Sequence, residues 1–425
     1  MDSNYKNKNL IFNIGSLSSG RIFLLASGAI FWLLAANLFY DHEVGIGAAL
    51  IATTVLASSL SNLGINFWVT QYFEENEIVL SSYLLVIFIF IFITSIFINI
   101  ILFLISNLFI PELNRIVSNN PFLGVILIIG TFSNTVIFIL ETIEIRLEHG
   151  KIVLVQNIIW GTLRVLFLFF LRDANGIGLY LAWLSSLIIS GTVFSNHIIS
   201  LFKKNLLFPP KNQISFSLKQ YLIAQINSVP VYSLPLLVFA KFGSSFTGKF
   251  QIIYNLASLF MIISMPLTRL AYVQYVKFKY EFERGIQSFF TFLILNLGFG
   301  IIFLFINLIF SKQILSIYNI PSESNLENII LLGLSMYIIL SSSTLLTSNL
   351  IRTWEKNLVV LIISLMKLIL VYSLFLFFTT FFAHLGIILA MVIEEVTIFV
   401  FCLIFTMKSI FWKKDSVDRN SVGVR

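Results

Sequence analysis

The sequence predicts an all-α polytopic membrane protein with twelve transmembrane helices in two six-helix bundles around a central cavity. Three observations carry that prediction. The chain is 58% apolar and 15% aromatic with only 11% charged residues, less than half the charge a soluble domain uses to cover a water-facing surface. Its apolar runs are long and unbroken, such as Ser82 to Ile110, as spanning helices of about 20 residues require and short alternating barrel strands do not. Its basic residues fall on alternate loops, the mark of a fixed orientation in a bilayer.

Apolar runs between polar interruptions place the spans at 11–40, 44–70, 80–110, 121–145, 152–171, 177–202, 218–240, 247–271, 287–310, 326–350, 357–379 and 385–407. The first run follows a polar start with Lys6 and Lys8 and holds small residues at Ala26 and Ala29, as a signal peptide would. Apolarity continues to Tyr40, about twice the length of a cleaved segment, so the run is read as an uncleaved first helix.

Sorting the 27 Lys and Arg fixes the expected orientation. With the N-terminus inside, eighteen lie on inner segments, including Arg146 and Lys151, Lys203 to Lys219, Arg352 and Lys356, and the tail to Arg425. Five lie outside: Arg115, Arg172, Lys241, Lys249 and Lys312. An even number of spans with both termini cytoplasmic, in the cell membrane, fits this split. The inner loop with Glu74, Glu75 and Glu77 carries no base, but acids count little in this rule.

The longest inner loop contains Pro209-Pro210 and divides an N-lobe, 1–205, from a C-lobe, 206–425, each with six spans. The lobes are weakly self-similar. At a shift of 203, Gly45 meets Gly248 and Gln71-Tyr72 meets Gln274-Tyr275; at 208, Gly178 and Ala182 meet Gly386 and Ala390. Two copies of six spans share orientation, so an axis along the membrane normal relates them and the centre between them is the expected substrate path.

The chemistry-bearing residues are few. A lone Cys402 excludes a disulfide framework, and His42, His149, His197 and His384 are too dispersed for a metal site. There is no phosphate-binding loop, nucleophile elbow or zinc-protease signature, and no resident cofactor is expected. The net charge of +7 is explained by cytoplasmic loops rather than nucleic acid. A lipid-modifying membrane enzyme would carry a large outer loop with an acidic cluster, whereas the longest outer loop, 311–325, is short. The chain is therefore read as a non-enzyme, with the lipid-modifying enzyme kept as a remote alternative.

Four basic residues remain inside spans, where each is costly unless it meets a partner or water. Arg164 sits deep within Val153 to Leu171, where snorkelling is hard, so it lines a wet cavity or meets an acid from another helix. Lys367 on span eleven and Glu394-Glu395 on span twelve lie at similar depth and can meet, though adjacent acids project about 100° apart, so one faces the lysine directly. The second acid is a candidate site for a proton or cation, which would couple transport to a proton or sodium gradient. Arg21 and Arg269 lie near the inner ends of spans one and eight, the latter just after a kink expected at Pro266. Glu141 and Glu144, one helical turn apart, are expected in an interfacial ion network near Arg146. Asn62 and Asn66 form a polar stripe with Thr70 along span two, serving as interhelical glue or pore lining.

These features together resemble a known family. Six plus six spans, Gly45 and Gly248 at the starts of spans two and eight, the charged hairpins Arg146 to Lys151 and Arg352 to Lys356, and Leu385-Gly386 with Ala390 and Glu394 are similar to the polysaccharide-transport branch of the multidrug and oligosaccharidyl-lipid exporter superfamily. The resemblance covers the whole chain through diffuse motifs. It implies an alternating-access flippase that moves undecaprenyl-pyrophosphate-linked oligosaccharide, such as an O-antigen unit, to the outer leaflet. Arg21 and Arg269 would meet pyrophosphate or acidic sugars, joined by Arg164, Lys367, Asn62 and Asn66 as substrate-binding residues, with Glu394 and Glu395 coupling an ion. The implied partners are the lipid-linked substrate, membrane lipids, and a polymerase and glycosyltransferases of surface-polysaccharide assembly, with the protein a monomer. The alternative is a cation-coupled multidrug exporter of the same superfamily, which would call for an acidic N-lobe site; spans one to three hold no acid.

Overall fold

Backbone inside hydrocarbon must bond to itself, and the long apolar runs do so as helices. The computed structural model describes residues 2–72, 77–194, 211–278, 281–320, 325–354 and 356–422, and among these every regular element is helical. In order they are α1 (Asp2–Leu38), α2 (Asp41–Ser61), α3 (Ile65–Tyr72), α4 (Glu77–Phe109), α5 (Pro111–Asn119), α6 (Pro121–Arg146), α7 (Gly150–Leu171), α8 (Asn175–Gly191), α9 (Lys211–Ser258), α10 (Met261–Lys277), α11 (Phe282–Ile317), α12 (Asn325–Thr353) and α13 (Asn357–Val422). Pro111 and Pro121 open their helices, where a missing N–H costs nothing. Asp41 and Glu43 open α2, and the Tyr40 N–H donates to Glu43 Oε2 at 2.9 Å.

Among the described residues, nine helical segments are long and apolar enough to cross a membrane. Three of them run 45, 46 and 52 residues, about two crossings each, and each contains a break. Arg172–Ala174 forms a 3-10 turn followed by Asn175 at φ 56°, Gly243 sits at φ 78° and ψ 179°, and Ala383 sits at φ 47° and ψ −124°. Gly243 adopts a region closed to residues with a Cβ. Ala383 holds positive φ against that preference.

Two expected spans are interrupted. The run 44–70 divides at Asn62–Gly64 because α2, at 21 residues, is already about 32 Å long and crosses the hydrocarbon alone. The run 247–271 divides at Leu259–Phe260, upstream of Pro266, which lies inside α10. The lobe boundary at 205/206 with Pro209-Pro210, the acids Glu74 and Glu75, His197, and Lys203, Lys204, Lys279 and Arg425 lie outside the described residues.

The chain forms two compact units, residues 1–255 with 317–320, and residues 256–316 with 321–425. In the first, α1 packs along α7, α7 along α8, and α2 lies among α4, α6 and α8. The buried residues of α2 are mostly small, among them Gly47, Ala48, Ala49, Ala52, Ala57 and Ser58, which lets neighbouring backbones approach closely without a hydrophobic drive. Polar side chains then bridge helices: Thr54 Oγ1 to Tyr180 OH at 2.9 Å, Asn134 Nδ2 to Ser58 Oγ at 2.6 Å, and Asn99 Nδ2 to Thr131 Oγ1 at 3.0 Å. On α4, Phe90, Ile93, Phe97 and Ile100 are exposed, as a lipid-facing stripe requires.

The end of α2 shows how a break is tolerated. A helix leaves its last four carbonyls without helical partners, and here all four are taken. Ser58 O accepts from the Asn62 N–H at 3.2 Å and Thr135 Oγ1 at 3.2 Å, Ser59 O from Gln225 Nε2 at 3.1 Å, Leu60 O from Tyr221 OH at 2.7 Å, and Ser61 O from Thr94 Oγ1 at 3.2 Å. Three neighbouring helices, α4, α6 and α9, thus complete the terminus of α2.

In the second unit α10 and α13 flank α12. One core cluster joins Ala271, Tyr275, Phe289, Leu293, Leu346 and Leu350; another joins Ile351, Val360, Ile363, Ile398 and Cys402. Asn296 Nδ2 donates to Ser342 Oγ and Ser343 Oγ at 2.8 and 3.0 Å, and Asn307 Nδ2 to Ser335 Oγ at 2.9 Å. The glue is the same amide–hydroxyl chemistry found in the first unit.

Candidate functional site

Among the described residues, each unit holds a constellation of buried charge. In the first, the organising element is one face of α1 carrying Arg21, Leu24 and Gly28 at helical spacing, with Ser27 beside it. Arg164 of α7 reaches this face and is only 7% exposed. Its guanidinium donates to the Leu24 carbonyl oxygen and, at 2.8 Å, to Ser27 Oγ, while its carbon centre lies 5.5 Å from the Trp160 ring centroid and 5.9 Å from that of Phe31. Gly28 and Gly161 make room, since a Cβ on Gly28 would lie 3.2 Å from the guanidinium and one on Gly161 would overlap Ser27 Oγ. Among the described residues no carboxylate pairs with Arg164, and its Nε has no hydrogen-bond partner. The two options left open by sequence are thereby narrowed: the cation is held by dipoles and aromatic faces rather than by an acid.

One turn earlier on α1, Arg21 forms an ion pair with Glu141 of α6, and Tyr232 of α9 lies close enough to feel its charge. Arg21 is about one third exposed and Glu141 nearly buried. Glu144, next along the same face of α6, is buried and its Oε2 lies 2.8 Å from His149 Nδ1. The acids expected in an interfacial ion network near Arg146 both make charged contacts, and both side chains are buried within the unit. His149 is tied to one of them. The pairing of Arg21 with Glu141, 120 residues apart, left no local signal in the sequence.

The polar stripe expected on span two does not form as one helix face. Asn62 caps α2, the chain turns through Leu63 at φ 45° and Gly64 at φ 86°, and Asn66 lies in α3. The two asparagines still touch, the Asn66 N–H reaching Asn62 Oδ1 at 3.4 Å, and Thr70 Oγ1 donates to Asn66 O at 2.8 Å. Asn62 Nδ2 is buried without a hydrogen-bond partner. These contacts fasten the α2–α3 turn.

In the second unit Lys367 meets both acids, from opposite sides of the break at Ala383 in α13. Nζ donates to Glu395 Oε2 at 2.9 Å and lies 3.8 Å from Glu394 Oε1. One acid faces the lysine directly, as the 100° helical offset requires. Both carboxylates are fully buried and the lysine side chain is 12% exposed. Tyr337 of α12 and Cys402, two turns past Glu395, lie within electrostatic reach of the lysine, neighbours that sequence reading did not single out. Arg269 belongs to this unit on an exposed face of α10, so Arg21 and Arg269, paired by sequence, lie in different units.

No known family profile matches the sequence, and no curated protein matches it. Solved structures do. A chain described only as protein A superposes with a TM-score of 0.65 at 14% identity, over 97% of this chain and 98% of that one. The MATE multidrug transporter DinF-BH gives 0.59 at 14%, over 95% and 96%. The outward-facing conformation of a multidrug resistance MATE family transporter of the MOP superfamily gives 0.57 at 13%, over 96% of each. Along nearly its whole length, the polypeptide has the fold of MATE transporters.

Proposed function

We propose that the protein is a cation-coupled exporter of amphipathic organic solutes, a multi-pass protein of the cell membrane with both termini cytoplasmic. Counting each of the three long segments as two crossings makes nine segments twelve spans. The observation that carries the reading is the buried cluster of Lys367, Glu394 and Glu395 within membrane helices of a fold shared with multidrug transporters. Two acids against one base leave one negative charge for a coupling ion, and ionisable groups persist at such depth where they serve transport. The comparisons favour this reading, the alternative at the level of sequence, over the polysaccharide branch. The absence of acids from spans one to three weighs less against it once Glu141 and Glu144 are found buried in the same unit.

A second reading is favoured by Arg164. A buried guanidinium with no carboxylate partner among the described residues suits an anionic headgroup, such as the pyrophosphate of a lipid-linked oligosaccharide. Arg21 and Lys367 support it less, since each is already paired with acid. Proteoliposomes holding the purified protein separate the two. Uptake of a rhodamine-type cationic dye against an imposed ion gradient, without flipping of a fluorescent lipid-linked oligosaccharide, supports the exporter. The converse result, together with loss of surface glycan in cells carrying Arg164→Ala at normal protein levels, overturns it in favour of the flippase.

A further inference from the structure

We infer that Glu394 carries a proton in this conformation while Glu395 stays ionised against Lys367, and that Glu394 is where the protein exchanges a proton, rather than a metal cation, with water. The inference rests on the exporter reading for its purpose but not for its evidence.

The geometry distinguishes the two acids. Glu395 Oε2 receives a hydrogen bond from the ammonium at 2.9 Å. Glu394 stands 3.8 Å from the same nitrogen, beyond hydrogen-bond range, and neither of its oxygens has a hydrogen-bond partner although both are sealed from solvent. A carboxylate with four lone-pair sites and no donor is the costliest way to bury a charge. With both acids ionised the cluster holds two negative charges and one positive; one proton on Glu394 brings it to zero. Among the described residues, the charged groups acting on Glu394 are Lys367 and Glu395 on α13, while Cys402 further along the same helix and Tyr337 on α12 lie within electrostatic reach of Lys367. None of the others balances the excess charge.

A metal cation fits poorly. It would need several oxygen ligands around it, and among the described residues no group of three or more His, Cys, Asp and Glu is arranged to supply them. The position between the two carboxylates is already held by the ammonium, which would repel a second cation. A proton needs one oxygen and no cavity. When the unit opens to water on one side, the O–H bond of Glu394 breaks and the proton passes to solvent; when it opens on the other, solvent returns one.

Infrared spectroscopy of the purified full-length protein in lipid tests this without any transported solute. Wild type at neutral pH is expected to show a buried carboxylic-acid carbonyl band that Glu394→Gln removes and Lys367→Met/Glu395→Gln, which takes away one charge of each sign and leaves Glu394 neutral, retains. Glutamine mimics the protonated acid, so Glu394→Gln should keep the wild-type thermal midpoint. Persistence of the band in Glu394→Gln, or its loss in both variants, would overturn the assignment, the latter by showing a shared proton. A thermal midpoint raised by sodium chloride over choline chloride, and only while Glu394 is present, would overturn it in favour of a metal-ion site. Failure of dye uptake in the wild type alongside the expected band would remove the exporter reading and leave the proton assignment standing.

Discussion

Gly45 and Gly248 cross back to back at the start of α2 and in the last part of α9. A Cβ on Gly45 would fall on the carbonyl oxygen of Ser244, and a Cβ on Gly248 on that of Asp41, each carbonyl lying four residues before the opposite glycine. The contact is reciprocal, and its two halves are related by the same shift of 203 that aligned the glycines in sequence. A repeat first seen as a weak match is thus also a packing interface, closed nearby by Lys249 and Asp41 at 3.7 Å.

Enlarging either glycine should force the two backbones apart. Overpacking of this kind costs about 1–3 kcal/mol or more, so Gly45→Ala and Gly248→Ala are expected to lower the thermal midpoint of the purified protein. Gly298→Ala, with open space around it, should leave the midpoint unchanged. Equal midpoints for all three would refute the interface.

Arg164 should be expensive to keep. A buried cation without an acid partner bears a desolvation cost that no opposite charge offsets and that an apolar side chain of similar length does not carry. Arg164→Met is therefore expected to match or exceed wild type in thermal stability while transport in proteoliposomes falls. A variant that is destabilised yet fully active would show the arginine to be a clamp between α1 and α7.

Lys367 is in the opposite position. Its removal strands the buried Glu395 carboxylate, and breaking such a pair from one side costs about 3–5 kcal/mol. Lys367→Met should lower folded yield sharply, and Lys367→Met/Glu395→Gln should recover most of it. Fluorescence size-exclusion profiles of the two variants check this, and equal yields would argue against the pairing.

The end of α2 offers a test of a single hydrogen bond. Tyr221→Phe removes the donor to the Leu60 carbonyl, and an unsatisfied buried carbonyl costs about 1–3 kcal/mol. Amide exchange across residues 59–66 should quicken while that of α12 stays the same. Unchanged exchange at 59–66 would mean that water or another donor replaces the tyrosine.

The sequence by itself determined the solvent, the class of fold and the ions worth watching. Charge is so scarce that each basic residue inside an apolar run stands out, and Lys367 with Glu394 and Glu395 could be matched by depth along two consecutive helices. The glycines were visible as a repeat because close backbone approach constrains residue type. What only tertiary structure decided is who meets whom across long separations. The pairing of Arg21 with Glu141, the dipolar cradle of Arg164 on α1, and the four donors that finish α2 join residues between 33 and 166 positions apart. Helical periodicity reports which face a residue occupies, but in a bilayer neither face has water against it to mark it. The partner of a buried charge is therefore set by which helices the chain brings side by side.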